Sequence, residues 1–147
     1  MTIAYLPAWI IVAIVWHFCI FTRTSILLVL VTHILLGLSL ASWSFFVATF
    51  FGNSPQLAAI ATTLLAMSFA IIACVYSSAG TLVATIFSVF FPPGYYIFAI
   101  RAICGFEINL MVTDALKPDP DNGLMLFPLL IVAGVCVTVV TVYPGRL

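Results

Sequence analysis

The chain has 147 residues, of which 65% are hydrophobic and 5% charged, with four basic and four acidic side chains and a formal net charge of zero. Soluble domains carry about 25% charged residues, and no soluble core of this length absorbs so much apolar surface. Lipid is therefore the expected solvent, and no basic patch exists to hold nucleic acid.

Five apolar stretches follow in order. The first, about Ile3–Phe21, is long enough to cross a hydrocarbon core of about 30 Å. It lacks a basic lead-in and reads as a retained span, not a signal peptide. Pro7 lies near its start, where a missing N–H is tolerated. Trp16 and His17 are candidate interfacial anchors. Arg23 then marks a short polar connection.

The second span is expected over about Ile26–Phe51. Residues His33, Gly37, Ala41, Ser44 and Ala48 recur in steps of three and four, so they share one helical face. Such a small-residue stripe lets membrane helices approach closely. His33 on it reads as a packing histidine bonded to a neighbouring helix, with a proton relay as the alternative. Gly52-Asn53-Ser54-Pro55 is a tight turn into a third span, about Gln56–Tyr76. That span carries its own stripe (Ala59, Thr63, Ala66, Ala70, Ala73). The two striped helices are expected to pack on each other as antiparallel neighbours. Ser77–Thr81 breaks the third helix.

The fourth stretch, about Leu82–Phe106, is apolar but is interrupted by Pro92-Pro93-Gly94. Two prolines and a glycine favour a turn, leaving two arms of half a bilayer each. This pattern predicts a re-entrant helical hairpin, with Arg101 and Glu107 near the interface. A single kinked span with Arg101 snorkelling is the alternative. Irregular backbone at membrane depth requires cover by protein or water. A polar loop, Leu116–Gly123, leads to the last span, about Leu124–Tyr143.

The expected fold is thus all-α: a polytopic transmembrane bundle of four full spans plus a re-entrant hairpin, as a single membrane domain. Chemistry is sparse. There is no phosphate-binding loop, no HExxH and no GxSxG. Glu107, Asp114, Asp119 and Asp121 match no calcium-loop spacing and read as a solvated loop. Cys19, Cys74, Cys104 and Cys136 stand alone and read as small buried hydrophobes. No catalytic, cofactor-binding or metal-binding residue is expected, and no enzyme activity from this chain alone.

The run His33-Ile-Leu-Leu-Gly-Leu-Ser-Leu-Ala-Ser-Trp-Ser-Phe-Phe-Val-Ala-Thr-Phe-Phe51, the Gly-Asn-Ser-Pro turn and Gln56-Leu-Ala-Ala-Ile-Ala61 resemble the membrane domain of ABC transporters of subfamily A. Phe90-Phe91-Pro92-Pro93 with Phe106-Glu107 resembles that family's re-entrant exoplasmic helices. Tyr143-Pro144-Gly145 is similar to its exit from the last span. The resemblance implies a cytosolic turn at Gly52–Pro55 and exoplasmic placement of Arg23 and the Glu107–Gly123 loop. It further implies a lipid bilayer, the remaining membrane half and nucleotide-binding domains as partners. ATP would be hydrolysed on a domain outside this chain, to export lipids or other amphipathic compounds. The chain would supply the back part of one membrane half. A small four-span scaffold or assembly subunit is the alternative, and a channel built on the re-entrant break a weaker third.

Overall fold

A computed structural model describes residues 2–52, 54–75 and 80–142. The fold is all-helical: α1 (Thr2–Cys19), α2 (Ile26–Phe50), α3 (Pro55–Val75), α4 (Thr81–Phe90), a 3-10 turn (Pro92–Gly94), α5 (Tyr95–Ile108) and α6 (Leu126–Val142). No strand forms among the described residues beyond an isolated antiparallel bridge between Pro118 and Met125. The expected helix break at Ser77–Ala79 and the exit at Tyr143–Gly145 lie outside the described residues, as do Asn53 and the side chains of Ala73 and Cys74.

Local chemistry sets the helix ends. The Ser25 hydroxyl accepts from Leu28 N at 3.4 Å and opens α2, the usual N-cap role of serine. Pro55 opens α3, where its missing donor costs nothing. Helix α4 stops at Phe91 because Pro92 and Pro93 follow. Proline has no N–H, so the break orphans few donors. Of those that remain, Gly94 N donates to Phe91 O at 2.8 Å, and Tyr95 N donates to Pro92 O.

Helix α5 ends in a Schellman motif: Met111 N donates to Phe106 O at 2.9 Å and Leu110 N to Glu107 O at 3.0 Å. The motif needs a left-handed residue, usually glycine. Here Leu110 fills it with φ of 56°.

α4 and α5 form a hairpin whose open ends meet the same end of the bundle. At α4's start, Thr81 Oγ1 donates to Gly123 O at 3.0 Å and accepts from Met125 N at 3.1 Å. At α5's finish, Glu107 binds the α1–α2 turn. The hairpin tip is covered: Phe91, Pro93 and Gly94 are buried, and the Phe91 ring lies 5.0 Å from both Trp43 and Phe69.

The core is built on α5. Tyr95, Phe98, Ala99, Ala102 and Ile103 are buried against Leu126, Leu129 and Ala133 of α6, with Val29 of α2 and Ala84 of α4 beside them. Helix α1 lies along α2.

The expected packing of α2 on α3 needs correction. Helix α2 packs mainly on α1 and α6 and touches α3 at few points. Between α2 and α3 lies an open groove of about 520 Å³, lined by Ser44, Ala48, Ala59 and Thr63 among others. Trp43 lines this groove, and its Nε1 donates to Thr62 Oγ1 at 3.4 Å, so a bulky indole stands among the small residues of the two faces.

The cysteines also depart from expectation: Cys19 is exposed, and Cys104 and Cys136 are only half-buried. Among the described residues, two helical segments, Ile26–Thr49 and Pro55–Ile72, are long and apolar enough to cross a membrane.

Candidate functional site

Most of the charged side chains among the described residues gather at the end where the hairpin opens. Glu107, in the last turn of α5, is the hub. Its Oε1 accepts from Arg23 N at 2.9 Å, from Thr24 N at 2.9 Å and from Thr24 Oγ1 at 3.0 Å. Thr24 is buried, and its hydroxyl also lies 2.7 Å from Thr113 Oγ1. Arg23 Nη1 donates to Leu110 O at 3.0 Å. One carboxylate thus ties the hairpin's exit arm to the turn between α1 and α2.

A second cluster sits on the other side of α5. Arg101 Nη2 donates to Asn122 Oδ1 at 2.7 Å. Asn122 in turn donates to Asp119 Oδ2, from Nδ2 at 2.8 Å and from its backbone N at 3.0 Å. Asp119 N donates to Leu124 O, and Gly123 N to Asp119 O, each at 2.8 Å. Asp119 is 2% exposed. Its Oδ1 has no hydrogen-bond partner and rests against Gly105, where a Cβ would collide with the carboxylate. Asn109 Nδ2 adds bonds to Gly105 O at 2.8 Å and to Asp121 Oδ1 at 3.0 Å.

The acidic residues are therefore not simply a solvated loop. Asp121 is exposed and Asp114 makes an exposed pair with Lys117 at 3.6 Å, a geometry worth little. Glu107 and Asp119, by contrast, hold α5 in place. Nothing in their spacing signals this, because their partners come from the α1–α2 turn and from a helical glycine.

Deeper in the bundle, His33 Nδ1 lies 2.9 Å from Val29 O and Nε2 lies 3.1 Å from Tyr96 Oη. The Trp16 ring stands edge-on at 5.6 Å. Next to it, Tyr95 Oη donates to Thr32 O at 2.6 Å. Two adjacent tyrosines at the start of α5 thus anchor the hairpin to α2, a role the sequence reading did not assign. His33 bonds its own helix and the hairpin.

The small-residue stripe divides in two. His33 and Gly37 are buried, and Gly37 lies directly under the Trp9 indole, leaving no room for a Cβ. Ala41 is half-buried, while Ser44 and Ala48 are exposed in the α2–α3 groove. Pro92, Pro93 and Gly94 stand together at the hairpin tip. Glu107 lies apart from them, at the opposite end of α5, about 20 Å along the helix. Of the expected anchors, Trp16 packs inward on Phe21 and His33. Among the described residues no group of three His, Cys, Asp or Glu side chains gathers as a metal site.

No protein-family model matches the sequence, and neither curated proteins nor solved structures give a match.

Proposed function

We propose that the chain is a polytopic membrane domain in which α1, α2, α3 and α6 span the bilayer and the α4–α5 hairpin re-enters from one side. The observation that carries this reading is the inverted distribution of polarity. Only 33% of the most apolar 18-residue window of Ile26–Thr49, and 6% of Pro55–Ile72, is buried. Large side chains such as Phe45, Leu57, Leu64 and Ile71 project outward. A core helix of a soluble protein would bury such a face; a lipid-facing helix need not.

On this reading the domain contributes helices to transmembrane export of lipids or amphipathic compounds. It works in an ABC-type assembly whose ATPase lies outside the chain. The supporting features are the resemblance in 33–61 and the hairpin preceding the last helix. A four-span assembly subunit is the second reading, favoured by the exposure of α3, which leaves most of one helix face open to a partner.

Topology is tested with Gln56→Cys and Asp121→Cys, made separately in a background lacking the native cysteines. Both positions are exposed. Membrane-impermeant maleimide should label them from opposite sides of sealed vesicles; labelling from the same side refutes the arrangement. The transport reading predicts that the affinity-tagged chain co-purifies with an ATPase stimulated by phospholipid. Co-purification with a partner whose ATP turnover it leaves unchanged would favour the assembly subunit.

A further inference from the structure

The polar end of the bundle carries an apolar edge that the spans and the hairpin do not account for. Residues 108–117 expose Ile108, Leu110, Met111, Val112 and Leu116, with Val112 74% exposed. Exposed apolar side chains grouped in one place mark an interaction surface, and here all but Ile108 lie in the loop after α5. Two of them, Met111 and Val112, line a groove of about 480 Å³ together with Leu27 and Val31 of α2. Leu27 and Val31 are exposed and belong to one of the two helical segments long enough to cross a bilayer.

The backbone points the same way. Leu110 occupies a left-handed position where glycine is the default, and it is 66% exposed there. A bulky apolar side chain at such a position gains little burial within the chain itself. Leu27 and Val31 share the groove's lining with Asp114 and Lys117, a paired negative and positive charge. That pairing complements the phosphate and ammonium of a zwitterionic phospholipid headgroup.

We propose that residues 108–117 form an interfacial lip that seats phospholipid. In it, Met111 and Val112 lie beside an acyl chain that runs along Leu27 and Val31, and Lys117 stands at headgroup level. The proposal rests on the membrane-spanning reading above. In that setting the lip fixes the depth of the hairpin's open end, because Arg23 and Glu107 join it to the α1–α2 turn.

Nitroxide labels placed singly on Val112→Cys, Met111→Cys, Lys117→Cys and Leu64→Cys test it in phosphatidylcholine vesicles. Oxygen, which concentrates among acyl chains, and a water-soluble nickel chelate serve as collision reagents. Leu64, exposed on α3, reports the spans. The expected result is that labels at 64, 111 and 112 collide mainly with oxygen, while the label at 117 collides with the chelate. If the label at 64 favours oxygen but those at 111 and 112 favour the chelate, the lip is aqueous and the proposal falls while the spans stand. Shielding at 111 and 112 from both reagents means that protein covers the lip, which also overturns the proposal. Chelate access at 64 refutes the spanning reading itself.

Discussion

Replacing Glu107 by alanine separates two opposite expectations. Glu107 lies in the last turn of α5, where a negative charge opposes the helix dipole. Judged on its own helix, its removal should stabilise by about 0.3–1 kcal/mol. Its tertiary bonds predict the reverse. Arg23 is exposed, so water replaces the acceptor lost to its N–H. Thr24 is 1% exposed. Its hydroxyl keeps Thr113 as a neighbour at 2.7 Å, but its N–H loses the acceptor it had at 2.9 Å. An orphaned buried donor costs about 1–3 kcal/mol, so with the weaker losses added and the dipole gain subtracted the variant should be destabilised by about 1–3 kcal/mol. Glu107→Gln keeps an acceptor oxygen without the charge. Because charge-assisted bonds are roughly twice as strong as neutral ones, it should lose about half as much. Equilibrium unfolding in mixed micelles, followed by tryptophan fluorescence, reads the change through Trp16, which packs on Phe21 next to the turn. A double-mutant cycle with Thr24→Ala should give a coupling of about 0.5–1.5 kcal/mol. Neutral or stabilised Glu107→Ala, or zero coupling, would refute the clasp.

Three further substitutions probe the backbone. Gly37→Leu forces its side chain into the Trp9 indole; overpacking of this kind costs about 1–3 kcal/mol, seen as a lower melting temperature in detergent with a red-shifted tryptophan emission. Gly105→Ala, which in an open helix interior would gain about 0.5–1 kcal/mol, should instead destabilise, because its Cβ meets the Asp119 carboxylate; a higher melting temperature would contradict that contact. Leu110→Gly relieves the left-handed strain and should stabilise the isolated chain in micelles by about 1 kcal/mol in denaturant titration.

The sequence made some of this plain and hid the rest for identifiable reasons. Apolar runs locate the helices, because a run such as Ile26–Phe50 has no breaker inside it. Pro92-Pro93-Gly94 locates the turn between α4 and α5, because proline removes donors. Partner choice was not legible. The stripe on α2 reads as one surface, but Gly37 meets Trp9 of α1 while Ser44 and Ala48 face an open groove. Trp43, which is not on the stripe, lines that groove beside them. Asp119 reads as loop because its neighbours are Pro118 and Pro120. Its burial comes from Gly105, whose missing side chain makes the space. Such complementarity between a carboxylate and a helical glycine leaves no periodic trace.

The arrangement of polarity gives the hairpin its place in the argument. Helix α5 carries Arg101, Glu107 and two tyrosines, yet it is the most buried helix, with Tyr95, Phe98, Ala99, Ala102, Ile103, Gly105 and Phe106 all inside. The longer and more apolar α2 and α3 lie around it, and α3 is largely exposed. In water this order would be unfavourable, since burying apolar surface is the dominant gain and burying polar groups a cost. In lipid the balance reverses: apolar helices gain little from burial, and polar groups must find partners within the protein. Tyr95 and Tyr96 find them on Thr32 and His33, Arg101 on Asn122, and Glu107 on Thr24. Those four anchor points run from near the hairpin tip to its open end and engage α2, the α1–α2 turn and the loop before α6. On the proposed membrane reading, a helix broken by Pro92 and Pro93 could not hold a fixed position by apolar contacts alone in an apolar solvent. The polar residues of α5 would supply that position, which gives a reason for the least apolar α-helix to stand at the centre.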